Sequence, residues 1–81
     1  MEVYLITFRS VTPAQRGESL LRKNGMDCTL RRTPRWMEEQ GCGYSLQTRK
    51  GAEAVALLRR HQIPFRKVYL QKGTQTEEVI L

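Results

Sequence analysis

Val3-Tyr4-Leu5-Ile6-Thr7-Phe8, with the run Thr12-Pro13-Ala14-Gln15 close behind it, decides how this chain is read. The first stretch is continuously apolar and partly β-branched, the pattern of a central strand buried on both faces. The second is a helix start, with Thr12 as N-cap, Pro13 at the first helical position and Gln15 closing a capping box. Ala14, Gly17, Leu20 and Leu21 fall on one face of that helix, and Asn24-Gly25 stops it.

Beyond the first helix, Cys28 and Leu30 alternate with Thr29 and Arg31 in a short second strand. Thr33 to Gly43 is a long polar loop, and Tyr44, Leu46 and Thr48 alternate with Ser45 and Gln47 in a third strand. Gly51 opens a second helix whose inner face is Ala54, Val55, Leu57, Leu58 and His61, and Pro64 ends it. Phe65 to Gln71 reads as a fourth strand, Lys72-Gly73 as a turn, and Glu77 to Leu81 as a fifth strand or a tail.

The order βαββαβ predicts an α+β fold of the ferredoxin-like kind: a four-stranded antiparallel sheet with two helices on one face. Residues 1–72 form the domain on this reading. Residues 73–81 are a C-terminal strand or tail packing on the sheet or on a partner. The unbroken apolar run of the first strand calls for a cover on its second face, from residues 77–81 or from another chain.

Eighty-one residues suffice for one domain. So short a chain buries only about 60% of its unfolded surface, which makes a homo-oligomer a reasonable expectation. Its apolar runs are far below the roughly 20 residues of a membrane span. With Glu2 where a basic leader would begin, the expected location is the cytoplasm. A net charge of +6 permits an acidic or nucleic-acid partner, and is equally the mark of a solvated surface. Cys28 and Cys42 are too few for a disulfide framework, and with His61 the single histidine no metal or cofactor site is expected.

In the predicted topology the 33–43 loop lies at the end of the sheet where the first helix begins. Arg9, Ser10, Thr12, Arg35, Cys42 and His61 then share one neighbourhood. Cys42 stands between Gly41 and Gly43, which leave room for a partner and for turn conformations. A helix N-terminus and Arg9 or Arg35 would lower its pKa from the usual value of about 8.5. The same Gly-Cys-Gly also suits a turn with a small buried filler, and spacing alone leaves both readings open. Cys28, on the face of Leu30, reads as inert core. It lies roughly 17 Å along the strand from the loop, beyond the ~7 Å a disulfide allows. His61 is either a base or a residue satisfied at a helix end. Trp36 and Met37 are either a contact surface or a cover.

The Tyr-Leu-Ile-Thr-Phe strand, Phe8-x-Ser10, an Ala-bearing first helix, Thr33-Pro34-Arg35 and Cys42-Gly43 carry a resemblance. Together they resemble a small domain-of-unknown-function family labelled putative selenium/sulfur carrier-like, from about Val3 to Leu70. The resemblance implies that Cys42 is a carrier thiol and Arg35 a neighbour of functional interest. The chain departs from that pattern at Glu38-Glu39-Gln40, where a small hydroxyl residue is expected.

The function so implied is a sulfur or selenium carrier, holding a persulfide or selenosulfide on Cys42 between a donor enzyme and an acceptor protein. Such a chain is a shuttle rather than an enzyme with its own turnover. The alternative is a non-enzymatic protein-interaction, regulatory or RNA-binding module with a structural Cys42. RNA binding fits poorly, because Cys42 and Gln47 stand where the third strand of an RNA-recognition domain carries stacking aromatics.

Overall fold

The two faces of the first strand need different neighbours, and the sheet is built around that strand. The structure is a computed structural model that describes residues 2–33 and 43–81. The elements are β1 (Glu2–Phe8), α1 (Val11–Lys23), β2 (Thr29–Arg32), β3 (Tyr44–Thr48), α2 (Gly51–Arg60), β4 (Val68–Lys72) and β5 (Gln75–Val79). All strand pairs are antiparallel, in the order β2-β3-β1-β4-β5. Among the described residues the fold is α+β with two helices. The expected four strands become five, because residues 75–79 pair with β4 across a turn in which Gly73 takes φ 57°.

Register sorts the side chains. Phe8, Tyr44 and Arg32 stand in one row, and Ile6 lines up with Leu46 and Leu30 on one side and Val68 and Val79 on the other. This face packs on the helices: Ile6, Phe8, Leu46, Leu21, Leu58 and Val55 form the centre of the core. The opposite face carries Leu5 between Gln47 and Tyr69, and Thr7 beside Ser45. Leu5 and Thr7 are nevertheless buried, each 6% exposed. The C-terminal segment does not lie over that face. It extends the sheet in its own plane, because the free edge of β4 offers a row of backbone hydrogen bonds that a loose cover would leave unmade.

Helix α1 starts earlier than its sequence suggests. Ser10, not Thr12, is the N-cap, and no side-chain cap bond forms, so the expected capping box is absent. Pro13 is accommodated in the first turn because the amides there have no partner within the helix. Both helices end in the same hydrogen-bond pattern. In α1, Gly25 donates to the Arg22 carbonyl and Met26 to that of Leu21. In α2, Gln62 donates to the Arg59 carbonyl and Ile63 to that of Leu58. The left-handed position is Gly25 in the first and Gln62, at φ 57°, in the second. Helix α2 therefore ends ahead of Pro64. His61 is its exposed C-cap rather than part of its inner face.

The fourth strand is shorter than expected, starting at Val68 rather than Phe65. Opposite Thr7 the chain places two residues instead of one. Thr7 donates its N–H to the Lys67 carbonyl (2.8 Å), and Arg66 donates to the Thr7 carbonyl (2.7 Å). The Thr7 hydroxyl then joins both polar groups of Lys67, accepting from its N–H at 3.0 Å and donating to its carbonyl at 3.1 Å. Such an extra residue ends regular pairing and re-aims the chain.

Candidate functional site

The sheet end that receives α1 is assembled by β1, β3 and the base of the 33–43 loop. Where β2 and β3 stop pairing, the Thr33 N–H donates to the Gly43 carbonyl at 3.0 Å. Gly43 is buried, and a Cβ placed there would lie 3.3 Å from Thr33 Oγ1 and 3.4 Å from the Phe8 carbonyl oxygen. The residue that follows Cys42 is thus packed against the end of β1, two residues before the α1 N-cap. Among the described residues Thr33 Oγ1 is buried with no hydrogen-bond partner, as is Ser45 Oγ in the neighbouring strand. In the sequence Thr33 stands as a loop boundary and in the Thr33-Pro34-Arg35 stretch; its burial depends on contacts with distant residues.

Of the expected site residues, Gly43, Arg9 and Ser10 come together at this end of the sheet, Arg9 and Ser10 being exposed. Cys42, Arg35 and Gly41, like Trp36 and Met37, lie outside the described residues. His61 is at the same end but on the flank of α1, sharing a cleft with Thr12, Arg16 and Lys23.

Cys28 is 7% exposed, and its Sγ is 3.8 Å from the Glu18 carbonyl. Burial pushes its thiol pKa above the ordinary 9.0, and the hydrogen bond and charge of Arg22 only partly oppose this. A thiol held protonated beneath α1 is a poor nucleophile.

Arg16 and Arg66, which were not among the expected site residues, line this end as well. Arg9, Thr12, Arg16, Phe65 and Arg66 border a cleft of about 760 Å³ between the start of α1 and the chain entering β4. The first turn of α1 contains no acidic residue. On the helix-free face, Leu5, Thr7, Ser45 and Gln47 occupy the central positions, where an RNA-binding sheet would present aromatics. Among the described residues no helix is long and apolar enough to cross a membrane. None of their His, Cys, Asp and Glu side chains gather in threes to hold a metal ion.

Residues 3–70 match the family described as putative Se/S carrier protein-like, and the chain belongs to that family. No curated protein and no solved structure matches the chain significantly. The family match ends within β4, so β5 lies beyond it.

Proposed function

We propose that this protein carries sulfur or selenium as a persulfide or selenosulfide on Cys42. The Cys42 thiolate attacks the terminal sulfur of a donor's persulfide. A new S–S bond forms on Cys42, the donor's S–S bond breaks, and the donor cysteine leaves as a thiolate. An acceptor thiolate then attacks the terminal sulfur on Cys42, which restores the Cys42 thiolate. Selenium in the terminal position follows the same balance.

The observation that carries this reading is the anchoring of Gly43 between Thr33 and the Phe8 carbonyl. Cys42 directly precedes Gly43 in the chain, and Arg9 and the positive end of α1 are the surroundings proposed to stabilise its thiolate. Arg35, Gly41 and Ser10 belong to the same proposed site, Arg35 as a second positive neighbour. His61, on the flank of α1, has no step in it. Cys28 is unsuited to the role by burial and by its raised pKa. The strand order also supports reading the first four strands and both helices as ferredoxin-like, with β5 appended.

Intact-protein mass spectrometry after incubation with a cysteine desulfurase and cysteine tests the proposal. The expected result is one added sulfur that maps to Cys42 and disappears in Cys42→Ser. Loading that persists in Cys42→Ser, or that maps to Cys28, would overturn it.

A further inference from the structure

The outer flank of α1 joins two clefts. The first lies between the start of α1 and residues 64–67, bordered by Arg9, Thr12, Arg16 and Arg66. The second runs beside the end of α2 and takes in Thr12, Arg16, Leu20, Lys23, His61 and Ile63. Thr12 and Arg16 line both, so the two form one groove that follows α1. From Thr12 to Lys23 that is about 16 Å of helix. Among the described residues no Asp or Glu lines either part. Glu18, the one acidic residue of α1, is outside the groove and pairs with Arg22 at 3.3 Å.

We propose that this groove docks an acidic, partly apolar segment of the protein that exchanges cargo with Cys42. The partner's role rests on the carrier reading; the groove's chemistry does not depend on the thiol. Among the described residues, Arg9, Arg16 and Lys23 gather along a surface without acidic side chains, which creates a positive potential complementary to an anionic partner. Among the described residues Arg9 and Arg16 have no hydrogen-bond or ion-pair partner, so their charge is available. The start of α1, without an acidic residue or a side-chain cap, adds to the same field.

Length and lining select a peptide over its rivals. A small oxoanion would fill only part of such a groove and would make no use of Phe65, Leu20 or Ile63 along it. A single-stranded nucleic acid stacks its bases on open aromatic faces. Among the described residues Phe65 is the only Phe, Tyr or Trp in the lining, and the Arg59 guanidinium stands over its ring, 5.7 Å from the centroid.

Fluorescence anisotropy with a labelled peptide of about ten residues, alternating Glu with Leu, tests the proposal on the full chain. The acidic peptide should bind and its Gln counterpart should not. Arg9→Ala with Arg16→Ala should weaken binding about tenfold or more. Arg49→Ala with Lys50→Ala, which removes the same charge at the opposite end of the sheet, should leave binding unchanged. If the first double variant loses its melting transition, Arg16→Gln on the exposed helix flank serves for the same comparison. Cys42→Ser should bind the peptide normally. Failed sulfur loading with intact peptide binding would then remove the carrier reading and leave the groove standing. Absence of binding, equal losses in the two double variants, or displacement of the peptide by inorganic phosphate or by a short oligonucleotide at matched concentration would overturn the proposal.

Discussion

Gly51 presses against the ring of Tyr4, so closely that a Cβ on Gly51 would overlap the ring atoms. Tyr4 sits on the helix side of β1, opposite Leu70, and Gly51 is the first residue of α2. The contact sets how near the start of α2 comes to the sheet. Gly51→Ala should therefore destabilise the protein by about 1–3 kcal/mol, the usual cost of overpacking, despite alanine's better helix propensity. Thermal denaturation beside Ala52→Gly, a change at an exposed neighbour, measures it. A melting temperature unchanged in Gly51→Ala would show that the ring moves aside freely.

Thr7→Val keeps the shape of the side chain but removes the hydroxyl that bonds both polar groups of Lys67. The loss should be about 1–3 kcal/mol, because the two part-buried hydrogen bonds of the hydroxyl are removed. Thr7→Ser should retain most of the stability. Urea midpoints of the two variants would separate the hydrogen bonds from the packing.

Gln62 occupies the left-handed position that ends α2, the place Gly25 takes after α1. Gln62→Gly should raise stability by roughly 1 kcal/mol, since a side chain there is strained and glycine is not. A fall in melting temperature would mean that the Gln62 side chain makes up for the strain.

Burial raises the Cys28 thiol pKa in the folded chain above 9.0. The folded state therefore holds this proton more tightly than the unfolded state does. Its contribution to stability is complete below the unfolded pKa and is lost as pH rises through the folded one. Unfolding free energy should fall above about pH 9, and this part of the slope should vanish in Cys28→Ala. In native buffer near neutral pH, Cys28 should also alkylate far more slowly than Cys42. Equal rates would contradict both assignments.

Deleting residues 74–81 removes β5 and opens the edge of β4, whose outer neighbours include Val79, packed on the core. The truncated chain should melt lower and associate, since an unpaired apolar edge is a template for another strand. Light scattering on both forms decides it. A truncated chain that stays monomeric and equally stable would show that β5 contributes nothing to the fold.

The candidate site was only partly legible. Cys42, Arg9 and Ser10 are chemically conspicuous residue types, and chain order alone puts Arg9 and Ser10 at the start of α1. Arg16 was not conspicuous, being one exposed arginine among many. It gains meaning beside Arg9 and Arg66, which lie 7 and 50 positions away in the chain.

Local pattern determined the elements themselves. The apolar run of β1, the spacing of Ala14, Gly17 and Leu21, the glycine after α1 and the alternation of β3 are signals of period and turn that act over a few residues. Tertiary structure decided everything that depends on a distant partner. It moved the start of α1 to Ser10, gave Thr7 the two polar groups of Lys67, seated Gly51 on Tyr4, and set β5 at the edge rather than over the face. The physical reason is common to all four. A local period tells which face of an element is apolar, but the element that covers that face, and the backbone groups left to be paired, are fixed only when segments far apart in the chain meet.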